Sequence, residues 1–257
     1  FKDHFSGVAS AYAAARPTYP QALFDWLASV TPDREMAVDC ACGNGQATLD
    51  LAARFGQVIG VEASESQIRS APGHPNIEWR VARAEHTGLA DHRASLVVVA
   101  QAAHWFDLDA FYGEVRRLLK PGGVVALWCY GLNSVDDPVL TAAVQDFYSR
   151  VVGPYWPPER RHVESGYQTL NFPFAPLSAP PFEMSTSWSL PEFLAYVATW
   201  SAVSRYRAET GRDPIPDLER TLSAPWGGPE RRRRVVWPVS VLAGCVLGRQ
   251  PAEESAD

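Results

Sequence analysis

Residues 37–52 read AVDCACGNGQATLDLA. An apolar run meets an aspartate, then two cysteines and two glycines, then a stretch with helical spacing. Asp39 and its small neighbours are poor material for either a strand or a helix. The backbone at this junction is therefore shaped for contact with something else. Glycines there let a ligand touch the main chain. In an open parallel sheet, ligands bind outside the carboxyl ends of the strands, at the switch point beside the first one. The reading is a strand ending at Asp39 and Cys40, a gap of nucleotide size, and a helix that opens near Gln46.

The surrounding pattern supports a sheet of that kind. MAVDC (36–40), QVIGVE (57–62), IEWRVA (77–82), ASLVVVAQ (94–101) and VVALWCY (124–130) are short, β-branched and bounded by turn residues, as buried parallel strands are. Helical stretches fall between them at 46–55, 64–71 and 109–120, the last stopped by Pro121-Gly122-Gly123. Strands that alternate with helices imply right-handed crossovers. A helix is predicted over 20–30, and another within 1–16, where Phe5, Val8 and Tyr12 share a face. Beyond Tyr130 the alternation weakens. A helix is expected over 136–152, then an irregular excursion rich in proline and aromatics over 153–181. A sixth strand follows at 182–188, one long helix at 191–211, a short one near 215–224, and a last strand at 234–249 with Pro238 at an edge or bulge.

The chain has 257 residues, 46% hydrophobic and 20% charged, which suits one globular domain with room for an inserted subdomain. A net charge of −6 argues against a large nucleic-acid footprint. Cys40, Cys42, Cys129 and Cys245 are too scattered for a disulfide framework, so a reduced, cytoplasmic setting is expected. No second Cys/His pair stands beside the C-x-C of Cys40 and Cys42, so no metal site is expected. No run approaches the ~18–20 apolar residues of a membrane span, and no basic, apolar leader opens the sequence.

Glu62 ends the second strand, about twenty residues beyond the glycines, where a carboxylate can accept hydrogen bonds from both hydroxyls of a ribose. A nicotinamide dinucleotide is the competing ligand. Its G-x-G-x-x-G fingerprint is broken here, because counting from Gly43 puts Thr48 at the third glycine. A buried carboxylate at Asp39 would also repel a pyrophosphate. It suits a cationic ligand instead, such as a nucleoside with a charged amino acid arm.

Val38-Asp39-Cys40-Ala41-Cys42-Gly43-Asn44-Gly45 resembles the first motif of class I S-adenosylmethionine-dependent methyltransferases, with Ala41 where the family usually has glycine. The start HFSGVASAYAAARPTYP, with AQAAHWFD (100–107), ATWSAVSRY (198–206) and TGRDP (210–214), is similar to the small-molecule, trans-aconitate methyltransferase-like branch. The resemblance spans nearly the whole chain and does not name the methyl acceptor. It implies an α/β, Rossmann-like doubly wound seven-stranded sheet, the class I methyltransferase fold, with a helical cap and the last strand antiparallel beside the fifth. The implied organisation is an N-terminal lid (1–30), a core (31–152), an acceptor cap (153–233) and a final strand with a polar, disordered tail (234–257). S-adenosylmethionine is the implied cofactor, a small molecule the implied acceptor, and a monomer or homodimer the implied state.

The resemblance further implies that Asp39, Cys40, Ala41, Gly43, Gly45, Glu62, Ala63, Ala84, Glu85, Gln101 and Trp105 meet the cofactor. Arg83 stands where the family often has an aspartate for the adenine amino group. His104, after the fourth strand, is the candidate general base or a pocket wall. Tyr12, Arg16, Tyr19, His104, Tyr130 and Trp200 are candidates for the acceptor side. Aromatic residues of the cap favour a planar or apolar acceptor; a carboxylic acid would need Arg16, Arg205 or Arg207. Three rivals stay open: a protein that binds the cofactor without transfer, an NAD-dependent oxidoreductase, and an RNA methyltransferase using Arg231–Arg234.

Overall fold

The computed structural model describes residues 17–246. The expected first helix, with Tyr12 and Arg16, lies outside the described residues, as does the polar tail. Helix α1 (Gln21–Val30) is preceded by Pro20, whose extended backbone starts the helix. The chain then alternates through β1 (Met36–Cys40), α2 (Gln46–Ala52), β2 (Gln57–Glu62), α3 (Glu65–Ser70), β3 (Ile77–Val81), β4 (Ala94–Ala100), α4 (Leu108–Leu118) and β5 (Leu119–Tyr130). The second half adds β6 (Ser134–Val135), α5 (Pro138–Asp146), α6 (Arg160–Glu164), β7 (Ala175–Leu177), β8 (Phe182–Trp188), α7 (Leu190–Ala198), α8 (Ser201–Thr210), α9 (Ile215–Trp226) and β9 (Arg233–Cys245).

The sheet order is β3-β2-β1-β4-β5-β9, with β1 to β5 parallel and β9 antiparallel to β5. Reversal of strand order beside β1 creates the crevice at its carboxyl end. Alternate strand residues feed opposite layers. Ala37, Val58, Leu96, Val98, Val124 and Ala126 pack with α1 and α2, whereas Val38, Ile59, Val97, Val99, Val125 and Leu127 pack with α4. Burial on both faces explains why these strands read as continuous apolar runs.

Nine strands are present among the described residues where seven were expected, yet the sheet is seven strands wide. β5 and β6 lie end to end along one edge of β9, at 239–245 and 235–236. β7 and β8 lie end to end along the other, at 243–245 and 233–239. The two extra segments, β6 and β7, are strands of 2 and 3 residues that pair with leftover edge groups of a long β9. Pro238 is therefore in an interior strand. It pairs in register with Glu183 but faces the break between β5 and β6, where no partner needs its missing N–H.

The helix expected over 191–211 is two helices. Thr199 closes α7 by donating its hydroxyl to the Tyr196 carbonyl, and Trp200 takes an extended backbone with ψ 135°. The turn buries the Trp200 indole among Phe147, Tyr148, Trp156 and Tyr196, with ring centroids 5.7–6.3 Å away. Tertiary burial of one large ring outweighs the local helical preference there. Trp200→Ala should cost about 3–5 kcal/mol, measured by denaturant unfolding; a loss under about 1 kcal/mol would mean that the ring cluster does not hold the break.

Candidate active site

The crevice beside β1 is a cavity of about 630 Å³, within the size range of ligand clefts. Its walls come from the first turn (Ala41 to Asn44), the ends of β2 and β4, the 82–85 loop, the 101–106 turn, and Pro157, Pro158, Glu159 and Arg205. Of the residues singled out in the sequence, it brings together Tyr19, Asp39, Ala41, Gly43, Glu62, Ala63, Arg83, Ala84, Glu85, Gln101, Trp105 and Arg205.

Asp39 is fully buried at the end of β1. Thr48 donates its hydroxyl to Asp39 Oδ2 at 2.6 Å, while Oδ1 has no partner. Burial pushes the Asp39 carboxyl up to about 7; the Thr48 hydrogen bond offsets part of this and the Glu62 charge adds to it. A dry, half-satisfied carboxylate lacks a donor, and a cation would supply one. Glu62 is held differently. Its Oε2 accepts from Gly43 N at 3.1 Å and its Oε1 from Ser64 N at 2.9 Å. This clamp fixes the carboxylate at the cavity wall and leaves one lone pair on each oxygen for a ligand.

The first turn is tight. Ala41 has φ +53°, and Gln101 across the cavity has φ +59°. Such left-handed backbone is uncommon for residues with a Cβ and clusters where a chain wraps a ligand. Gln101 is fixed by donating Nε2 to the Tyr130 carbonyl at 3.1 Å. A Cβ at Gly43 would meet nothing, so that glycine leaves open space. Gly45 has another duty. Neither it nor Gly60 has room for a Cβ, because the Trp79 indole lies across both.

Five expected residues stand elsewhere. Cys40 faces the buried layer under α4, as alternation with Asp39 requires. Gly45 accommodates Trp79 behind the turn. Tyr130 packs against Tyr19, with ring centroids 6.3 Å apart, and only its carbonyl reaches Gln101. Trp200 is in the ring cluster of the cap. His104 does not line the cavity; its Nδ1 lies 3.0 Å from the Tyr167 hydroxyl, and burial pulls its basicity down to about 3. Its neighbour Trp105, on the same single turn, lines the cavity instead.

Sequence reasoning missed Cys42, Asn44, Gln46, Ser64 and Gln67, which flank the motif residues, and Pro157 to Glu159. Residues 157–159 carry no sequence signal, being part of an irregular stretch that tertiary packing brings in. The 82–85 loop is tied down by Glu114, which accepts from Thr87 N at 2.8 Å and from Arg117 Nη2 at 2.7 Å. Arg83 pairs with Glu85 at 3.4 Å. Three of the four arginines in the run Arg231–Arg234 are engaged. Arg232 meets Glu192 at 3.1 Å, Arg234 meets Glu183 at 2.5 Å, and buried Arg233 donates to the Trp226 carbonyl.

A doubly wound sheet with a glycine-bearing first turn and acids ending its first two strands places the chain among enzymes that take nucleoside ligands at the switch point. Residues 38–127 match the family model described as a methyltransferase domain. A methyltransferase-named protein of Dictyostelium discoideum is 33% identical over 225 residues, covering 86% of each chain. The structure of a type II methyltransferase from Anaeromyxobacter dehalogenans is 49% identical, with a TM-score of 0.87, covering 91% of this chain and 99% of that one. A methyltransferase structure from Anabaena variabilis, 15% identical with a TM-score of 0.54, shares the fold. The chain belongs to the class I S-adenosylmethionine-dependent methyltransferases.

Glu114 offers a test of how the cavity loop is held. Burial alone would raise its carboxyl, but the Arg117 and Thr87 hydrogen bonds hold it down to about 2. Its contribution to stability is complete above the ordinary glutamate range and is lost as pH falls toward 2. The stability gap between wild type and Glu114→Gln should therefore be constant near neutrality and close in acid. A gap independent of pH in urea unfolding would dissociate Glu114 from the loop.

Proposed function

We propose that this enzyme moves a methyl group from S-adenosylmethionine to an oxygen, nitrogen or carbon of a small-molecule acceptor, in the cavity beside Asp39 and Glu62. The observation that carries the reading is the buried Asp39 Oδ1 with no partner, aligned with a second carboxylate and an open glycine. These groups fit the cofactor: Asp39 would take its ammonium, Glu62 its ribose hydroxyls, Gly43 and Ala41 its close approach to the main chain. Ala84 and Glu85 would border the adenine, and Gln101 the amino acid arm. When bound, the cofactor supplies a methyl group already activated on a sulfonium.

The chain's own task is then alignment and exclusion of water. Holding reactants in line is worth about 7–11 kcal/mol in favourable cases, more than the ~10²–10⁴-fold typical of a general base. Trp105, at the cavity wall, would offer its ring to a cation. His104, tied to Tyr167 and kept neutral by burial, shapes the turn that presents Trp105. Tyr19 walls the cavity from the side of α1. No helix among the described residues is long and apolar enough to cross a membrane. A pyrophosphate would face Asp39 and Glu62 with no unpaired cation in the first turn, which disfavours the dinucleotide reading. The carboxylate and carbonyl partners of Arg232, Arg233 and Arg234 weigh against an RNA substrate.

Asp39 gives the reading its test. An ammonium ligand selects the ionised carboxylate, so affinity should rise with pH through about 7 and then level, with proton release below it. Asp39→Asn should abolish this dependence and weaken S-adenosylmethionine binding about tenfold or more. It should also raise the Tm of the ligand-free protein at alkaline pH, because a buried carboxylate no longer has to ionise. Calorimetry that finds pH-independent, undiminished binding would remove the ammonium from this site. His104→Ala should lower turnover by less than about a hundredfold; a larger loss with intact acceptor binding would make the imidazole the proton acceptor after all.

A further inference from the structure

The distribution of unpaired charge is uneven. Among the described residues, each buried or half-buried arginine has a hydrogen-bond or ion-pair partner, with one exception. Arg54 meets Asp25, Arg80 meets Glu78, Arg117 meets Glu114, Arg160 meets Tyr148, Arg207 meets Asp213 and Arg233 meets Asp136. Arg205, half-buried on α8 and lining the cavity, has none. The acids show the same pattern. Each buried or half-buried carboxylate is bonded except Glu159, which is half-buried, lines the same cavity and stands at the start of α6 without capping it. No ion pair joins the two.

Half-buried charges without partners are costly, so a fold tends either to pair them or to expose them. Here one of each sign is held at the wall of one cavity. Both come from segments after β5, separate in the chain from the turn and loops assigned to the nucleoside. We propose that Arg205 and Glu159 are the specificity-determining pair for the methyl acceptor, which is a small organic anion carrying a separate hydroxyl or amine. This deepens the methyltransferase reading and rests on it.

The two charges orient the acceptor. Arg205 attracts the anionic group and can hold it in a two-point hydrogen bond. Glu159 repels that group and accepts a hydrogen bond from the hydroxyl or amine. In the transfer, the acceptor oxygen or nitrogen forms the bond to the methyl carbon. The carbon–sulfur bond breaks with its electron pair left on sulfur, and the acceptor's proton passes to the Glu159 carboxylate. The anion is a handle and is not itself methylated. Arg207 is not available for the role, since Asp213 holds it at 2.9 Å.

The test uses S-adenosylmethionine with a labelled methyl group and a small-molecule extract, incubated with the full chain. Products are separated on an anion-exchange resin at alkaline pH, where carboxylates are charged and α-amino groups are not. The expected label is retained on the resin and survives mild alkali, as an ether or amine does. Arg205→Gln and Glu159→Gln should each reduce it about tenfold or more, with S-adenosylmethionine affinity unchanged by calorimetry. The unreacted cofactor also passes unretained, since its sulfonium offsets its carboxylate, and is measured in a run without enzyme. Labelled product in the unretained fraction beyond that amount, or label released by alkali as methanol from an ester, would overturn the proposal. So would weakened S-adenosylmethionine binding in Arg205→Gln, since that would assign the guanidinium to the cofactor's own carboxylate. Failure of the wild type to bind S-adenosylmethionine at all would instead count against the underlying reading.

Discussion

A carboxylate kept dry at the carboxyl end of β1 is the constraint around which the ligand end of this molecule is arranged. Burial makes Asp39 hard to ionise, and the fold answers with one hydroxyl, from Thr48, at 2.6 Å. The remaining oxygen waits on something else. Every neighbouring feature accommodates that need. The turn from Ala41 to Gly45 draws the main chain aside, Glu62 is clamped by two amides, and Gln101 is strapped to the carbonyl of Tyr130. Their value lies in a rigid, acidic concavity that suits a positively charged nucleoside.

The remainder of the structure keeps that concavity in place at a distance. Glu114 ties the 82–85 loop to α4 through Thr87 and Arg117. Trp79 reaches from β3 to lie behind the first turn, which is why Gly45 and Gly60 have no side chain. The aromatic cluster around Trp200 fixes the break between α7 and α8, and α8 carries Arg205 to the cavity. Residues far from the ligand thus decide its geometry through packing, where small displacements are resisted.

Much of this was legible in the sequence because it depends on local pattern. Strand MAVDC and strand FEMSTSW occupy 36–40 and 182–188 as expected, since period and turn residues mark such segments. The placement of Asp39 and Glu62 at strand ends followed from the same pattern. Cys40 could have been placed inward by strand parity alone. What was hidden depends on tertiary packing. The break at Trp200 is decided by rings from Phe147, Tyr148 and Trp156. The single turn at 103–105 decides that Trp105, and not His104, reaches the cavity. Pro157 to Glu159 arrive there by a long excursion with no periodicity to read.

The order in which the sheet is assembled has a biosynthetic consequence. β9 is the common neighbour of β5, β6, β7 and β8, and its register with β5 joins Val124 to Cys245. Until residues 233–245 leave the ribosome, the apolar strand VVALWCY has an open edge, which is a template for pairing with another nascent chain. Closure over so long a loop is also slow. The parallel half can gather early, but it must be shielded until the final strand slides between β5 and β8. Low temperature, slow translation or a chaperone would each lengthen or protect the interval before β9 closes that edge.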